Sequence, residues 1–269
     1  MRQNDSMTSS PPSPQTSASG RVALVTGAGR RTGIGAAVVE RLARDGFDVG
    51  VSYLSAYDER MAWGSVTGAV NEIASRVRDR GVRALDVKAD LERPESITSL
   101  FDAVESGLGP VSVLVMCHCE SVDSDILDTS VESFDRHFAV NARATWLLVR
   151  EFGLRFRSTS GPGRIIALTS DHTVANLAYG ASKGALDRIT LSAAREFAHL
   201  GVTANVINPG ATDTGWLTSE LKERLIAAHP LGRIGTPVDA ANLVSFLGSP
   251  DGGWINGQLL YSDGGVGRG

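Results

Sequence analysis

From Arg21 onward, short apolar runs alternate with longer segments whose apolar residues recur every three or four positions. This alternation limits what the chain can fold into. Residues 22–26, 49–53, 82–88, 111–116, 164–169, 203–207 and 258–261 read as strands. Helical spacing predicts a helix over 34–45, closed by Gly46, and a second along Val66, Val70, Ile73 and Val77, ended by Gly81. Further helices are expected through Ile97, Leu100, Phe101 and Val104 after Pro94, over 131–156 as one long element, and over 179–199. Two short helices precede the last strand. Strands that alternate with helices form a parallel sheet covered on both faces, and right-handed crossovers wind it in both directions. The expectation is one doubly wound α/β domain of Rossmann type over residues 21–269, with a mostly parallel seven-stranded sheet and helices on both faces. Residues 52–65, which include Met61 and Trp63, follow neither period and read as a loop. Residues 1–20 are mostly Ser, Pro, Thr, Gln and Asn, too poor in apolar groups to offset ordering, and read as a disordered tail.

Composition narrows the partners. With 42% hydrophobic and 21% charged residues and a formal net charge of −4, the chain offers no broad basic surface. Neither nucleic acid nor anionic membrane is an expected partner. No apolar run approaches the ~20 residues that span a bilayer. Arg2 is followed by no apolar stretch, so no secretory signal is expected. Two cysteines, Cys117 and Cys119, are too few for a disulfide framework and suit a reducing, cytoplasmic setting.

The first strand runs into Thr26-Gly27-Ala28-Gly29-Arg30-Arg31-Thr32-Gly33-Ile34-Gly35. The glycines would suit an ordinary strand-to-helix turn. They also let backbone approach a pyrophosphate while the helix start supplies free N–H groups and partial positive charge. Gly27, Gly33, Ile34 and Gly35 are therefore candidate dinucleotide-binding residues. Arg30 and Arg31 lie inside the loop, where a guanidinium can pair with an adenosine 2′-phosphate. The second strand ends in Tyr53, Leu54 and Ser55, with no acid to hold a free 2′-hydroxyl. Both features favour NADP(H) over NAD.

Tyr179-Gly180-Ala181-Ser182-Lys183 opens a predicted helix, so Tyr179 and Lys183 share one face. An ammonium beside a phenol favours the phenolate and makes a usable acid/base. A strand ending in Thr169-Ser170 precedes the pair. In these motifs the chain, from Arg21 to Gly265, resembles the short-chain dehydrogenase/reductase family, and within its classical branch the ketoacyl-carrier-protein reductases. The longer glycine loop and Met61-Ala62-Trp63-Gly64 resemble a subgroup of generic reductases. The resemblance implies roles. Ser170 would bond the substrate carbonyl, Tyr179 would carry the proton, and Lys183 would bond the nicotinamide ribose and lower the Tyr179 pKa. Asn141 would hold a relay water. Asp90 would meet the adenine, Pro209 and Gly210 would turn beneath the nicotinamide, and Thr212 and Thr214 would bond the carboxamide or the phosphates. Gly257-Gln258 and Asp263-Gly264-Gly265 match a strand that often packs in tetramers, so a homotetramer or homodimer is expected. The implied activity is NADPH-dependent reduction of a carbonyl, or oxidation of the alcohol. A dehydratase, isomerase or cyclase on the same fold, and a nucleotide-binding module without catalysis, remain alternatives.

Two departures stand out. Where the family shows Asn-Asn-Ala-Gly, this chain has Met116-Cys117-His118-Cys119. Successive strand residues face opposite ways, so this run is not expected to bind metal. His118 is expected to face the cofactor pocket. The loop from Ser170 to Tyr179 is also about one turn shorter than usual, which brings Asp171, His172 and Thr173 forward as further polar groups. The stretches 121–125, 171–178 and 216–230 would line the substrate pocket. Trp216, Leu217, Leu221 and Leu225 suggest a lid over a partly apolar substrate.

Overall fold

The computed structural model describes residues 20–172 and 174–267. The expected tail, except Gly20, and Thr173 lie outside the described residues. The chain runs β1 (Val22–Thr26), α1 (Ile34–Arg44), β2 (Asp48–Tyr53), α2 (Ser55–Arg60), α3 (Ala69–Arg78), β3 (Ala84–Lys88), α4 (Glu95–Leu108) and β4 (Val111–Met116). It continues through α5 (Val131–His137), a π-helical turn (Phe138–Arg143), α6 (Ala144–Arg155), β5 (Gly163–Leu168), α7 (Leu177–Glu196), β6 (Val202–Asn208), α8 (Ser219–Ala228), α9 (Pro237–Gly248) and β7 (Leu259–Tyr261).

The seven strands pair in the order β3-β2-β1-β4-β5-β6-β7, and every pair is parallel. The central strands β1 and β4 are buried along their whole length because each face of the sheet carries a helical layer. Within β1, Val22 and Leu24 join a core with Phe101 and Val104 of α4, Leu148 and Phe152 of α6 and Leu186 of α7. Ala23 and Val25 point the other way, into a core with Val38, Val39 and Leu42 of α1, Ile73 of α3 and Val244 of α9. The period of two along a strand thus divides one sequence between two cores. Strand order reverses between β1 and β4, which opens a crevice at their carboxyl ends.

Two elements differ from the expected pattern. The single helix expected over 131–156 is interrupted at residues 138–143. The widened turn there lets the Asn141 side chain reach across to the chain after β4, and such turns recur at functional sites. Residues 52–65, expected as a loop, hold α2, whose contacts are mainly polar and distant in sequence.

At the opposite end of the sheet, the fully buried Asp48 carboxylate accepts the Arg83 backbone N–H at 2.7 Å and its guanidinium at 2.7 and 3.0 Å. Arg83 also bonds the Leu108 carbonyl at the end of α4. Replacing Asp48 by Ala leaves these donors without their carboxylate and should cost about 2 kcal/mol of stability. Urea unfolding should show the loss. Activity at low temperature should survive, because the crevice lies at the other end of the strands.

Candidate active site

The glycine loop begins where β1 ends. Gly27 has φ +70°, and a Cβ there would lie 2.5 Å from the backbone N and Cα of His118. A Cβ on Gly35 would lie 2.6 Å from the Gly27 carbonyl oxygen. The loop therefore folds against the end of β4 at backbone distance. Gly33 caps α1 with no side-chain hydrogen bond, and the first turn of α1 carries no acid. The first N–H groups of α1 have no helical partner, and the helix dipole adds partial positive charge. This uncapped end at the sheet's switch point fits a pyrophosphate.

The two loop arginines diverge. Arg30 donates from Nη2 to the Thr214 carbonyl at 3.0 Å, and its guanidinium lies 4.7 Å from the Trp63 ring centroid. Arg31 turns outward and pairs with Glu72 of α3 at 2.7 Å. Thr32 donates to the same Thr214 carbonyl, which joins the glycine loop to the segment after β6. In that segment Gly210, with φ +61°, packs so closely on Asp263 that a Cβ would meet the Asp263 side chain at 2.6 Å. Thr212 Oγ1 donates within the Pro209-Gly210 turn. Asp90 lies just beyond β3, where it accepts the Glu92 N–H and pairs with Arg93.

Ser170, Tyr179 and Lys183 come together at the carboxyl end of β5. Tyr179 and Lys183 sit one turn apart in α7, with Nζ 5.7 Å from the phenol ring centroid. Lys183 is only 2% exposed and donates to the Leu168 carbonyl at 2.8 Å. Burial holds its pKa below the ordinary lysine value, with the Cys119 and Cys117 thiols and Asp187 opposing the shift. The Tyr179 phenol does not show the expected depression. Burial pushes it up and outweighs the hydrogen bond from Ser170 that pulls it down. In the cofactor-free protein Tyr179 is therefore a neutral, protonated phenol. In the shortened loop, Ser170 Oγ accepts the His172 N–H at 3.2 Å. That loop is tied down by Asn176, which donates to Asp123 Oδ1 at 2.9 Å and to Ser121 Oγ at 3.4 Å. Asp171 and His172 face solvent.

The altered end of β4 is built differently from expectation. The His118 ring turns inward, 5% exposed, with Nδ1 2.7 Å from Thr26 Oγ1. Nε2 makes no well-formed hydrogen bond. Burial, with the Lys183 charge adding to it, pushes the imidazole pKa down to about 3, and the Val140 backbone only partly offsets this. The ring is neutral filling between β1 and the π-helical turn, not a group facing the pocket. Cys117 and Cys119 are free thiols, and burial drives Cys117 up to about 12. Asn141 accepts the Glu120 N–H and donates to the Glu120 carbonyl, both at 2.8 Å, and donates to Ser182 Oγ at 2.9 Å. Its carboxamide is fully engaged in protein bonds.

Sequence reasoning missed the residues of α2. Arg60 forms a bidentate pair with Glu120 at 2.8 and 3.0 Å, and Tyr57 donates to the Ser121 carbonyl at 3.1 Å. Trp63 donates to Asp58 Oδ1 at 2.9 Å. The available signals were the length of the stretch between β2 and α3 and the Met61-Ala62-Trp63-Gly64 run within it.

A doubly wound sheet, an uncapped helix at its switch point and a Ser-Tyr-Lys cluster beside it define an oxidoreductase that works on a dinucleotide. Comparison with known proteins agrees. Residues 27–267 match the family model described as enoyl-(acyl carrier protein) reductase. An uncharacterized oxidoreductase of Bacillus subtilis, YjdA, is 36% identical, with 93% of this chain and 98% of that protein aligned. An NADPH-dependent aldehyde reductase-like chloroplastic protein of Arabidopsis thaliana is 38% identical over 96% of this chain and 97% of its own. The structure of angucycline C-6 ketoreductase LanV with bound NADP superposes with a TM-score of 0.82 at 32% identity, covering 94% of this chain and 98% of that one. The chain belongs to the short-chain dehydrogenase/reductase family. Among the described residues, no helix is long and apolar enough to cross a membrane.

The buried imidazole gives a test with a definite sign. In the folded protein its pKa lies below the ordinary value of about 6.5, so the unfolded chain takes up the proton first. Its contribution to stability is complete above pH 6.5 and is lost as pH falls toward 3. Melting temperature should therefore drop more steeply from pH 7 to pH 4.5 in the wild type than in His118→Asn. Parallel curves would show that the ring does not resist protonation.

Proposed function

We propose that this protein is an NADPH-dependent carbonyl reductase, running in reverse as an alcohol dehydrogenase, that acts on a partly apolar ketone or aldehyde. The carrying observation is the Ser170-Tyr179-Lys183 cluster beside the uncapped start of α1. Gly27, Gly33, Ile34 and Gly35 would hold the pyrophosphate, with Arg30 on the adenosine 2′-phosphate. Arg31, already paired with Glu72, contributes less. Asp90 would serve the adenine, and Pro209, Gly210, Thr212 and Thr214 the nicotinamide end. The bound cofactor supplies the hydride.

The chain's own groups do the rest. Ser170 Oγ donates a hydrogen bond that polarises the substrate carbonyl oxygen. Tyr179 hands its phenolic proton to that oxygen as negative charge develops on it. Lys183, buried beside the phenol, would stabilise the phenolate that remains and would bond the nicotinamide ribose. Asn141 fixes the start of this array through Glu120 and Ser182. Half-exposed Trp216 and α8, which buries none of its residues, would supply the apolar part of the substrate wall through Trp216, Leu221 and Leu225.

The assembly is a homotetramer or homodimer in the cytoplasm. Supporting the assembly, Trp146 and Leu154 on α6 and the 98%-exposed Trp254 before β7 leave large apolar groups uncovered in a single chain. Supporting the setting, both cysteines are free thiols.

NADPH consumption followed against a panel of aldehydes and ketones tests the activity. Tyr179→Phe should lower kcat at least 100-fold and leave NADPH affinity unchanged, since only the transferable proton is removed. A variant that keeps more than a tenth of wild-type kcat would overturn the assignment. Separately, Arg30→Ala should weaken NADPH binding about 10- to 100-fold, the loss expected for a charged hydrogen-bonded contact, with little effect on NADH. Equal losses for both cofactors in calorimetric titration would remove Arg30 from the 2′-phosphate site.

A further inference from the structure

Arg30 does not hang freely in the loop mouth. Its flat face lies on Trp63, with the guanidinium carbon 4.7 Å from the ring centroid. Its Nη2 is fixed by the Thr214 carbonyl at 3.0 Å, and its Nε lies 3.7 Å from Asp58 Oδ1. Nη1 has no hydrogen-bond partner among the described residues, and the side chain stays 25% exposed on that account. Trp63 and Asp58 brace each other, because the indole N–H donates to Asp58 Oδ1 at 2.9 Å. Asp58 is 7% exposed and lies against the loop itself. Its Oδ2 is 4.0 Å from where a Cβ on Gly29 would stand. Burial raises the Asp58 pKa, while the Trp63 hydrogen bond and the Arg30 charge hold it down.

These contacts put two opposed influences on one guanidinium. Stacking on an aromatic face fixes the plane of an arginine while leaving its edge donors available. A carboxylate beside that guanidinium competes for it with any incoming phosphate and repels the phosphate's charge. We propose that Trp63 positions Arg30 for the adenosine 2′-phosphate and that Asp58 opposes that phosphate, so the pair sets how strongly NADPH is preferred over NADH. The proposal rests on the reading that Arg30 meets the 2′-phosphate, and it assigns a selectivity role to α2 and the turn that follows it.

Calorimetric titration of the cofactor-free enzyme with NADPH and NADH, and with 2′,5′-ADP against 5′-ADP, reads affinity without turnover. Trp63→Ala should weaken NADPH and 2′,5′-ADP at least fivefold and NADH and 5′-ADP less than twofold. Trp63→Phe, which keeps an aromatic face, should restore most of the loss. Asp58→Asn keeps an acceptor for the indole N–H but removes the charge. It should tighten NADPH at least threefold relative to NADH, and it keeps the test decisive should Trp63→Ala fail to fold. Equal shifts for the phosphorylated and unphosphorylated ligands in both Trp63→Ala and Asp58→Asn would reduce the pair to a structural role and overturn the proposal. The Arg30→Ala result separates the two levels. If that variant discriminates and the Trp63 and Asp58 variants do not, the inference fails alone; if it does not discriminate, the underlying reading fails.

Discussion

The site depends on one carboxamide. Asn141 satisfies both the N–H and the C=O of Glu120, and its remaining donor reaches Ser182, whose hydroxyl in turn donates to the Tyr179 carbonyl at 2.8 Å. The end of β4, the π-helical turn and the first turns of α7 are thereby held in one register. Glu120, Asn141 and Ser182 are buried, where an unpaired backbone donor or acceptor costs about 1–3 kcal/mol. A side chain at 141 lacking both a donor and an acceptor would orphan two such groups and release α7 from β4. The π-helical turn follows from the same requirement: a regular helix running straight from α5 into α6 carries its side chains at another angle. Local helix regularity has yielded here to hydrogen-bond satisfaction at the site.

The neighbouring electrostatics obey the same economy of burial. Lys183 sits inside the protein with a backbone carbonyl as its hydrogen-bond partner, where burial pulls its pKa down and Cys119, Cys117 and Asp187 oppose that shift. His118 is tolerated because burial and Lys183 keep it neutral, and the two thiols stay protonated for want of solvation. The replacement of the family's small polar residues by Cys, His and Cys therefore adds bulk without adding charge. The hydrogen bond of His118 to Thr26 ties β1 to the chain just after β4 at the switch point.

How far the sequence disclosed this follows from the type of contact involved. The central strands were legible because both faces of a parallel sheet are buried, so β1 and β4 appear as nearly unbroken apolar runs. Gly27 and Gly35 were legible because their spacing encodes close backbone approach, and Tyr179 with Lys183 because one helical turn separates them. The direction of the His118 ring was not legible, since alternation along a strand gives two options and the choice depends on Thr26, 92 positions away. Nor could adjacent arginines be told apart. Arg30 and Arg31 differ only in what waits for them, Trp63 for one and Glu72 for the other. The break at 138–143 left no trace in the apolar period, because the buried positions continue through it.

The α2 segment shows why polar insertions resist reading from sequence and yet organise a site. One face of it, with Tyr57 and Arg60 one turn apart, grips the chain after β4 through the Arg60–Glu120 pair and the Tyr57 hydroxyl on Ser121. The other meets the glycine loop through Asp58 and Trp63 on Arg30. The segment therefore bridges the β2 and β4 ends of the crevice over β1, the strand between them in the sheet. Glu120 belongs to this bridge through its carboxylate and to the Asn141 clamp through its backbone. A displacement of α2 must then either break a bidentate ion pair whose carboxylate is 4% exposed or pull on the peptide that registers Tyr179. The glycine-loop end and the Tyr179 end of the crevice are thereby joined through Glu120, so a change at one is felt at the other.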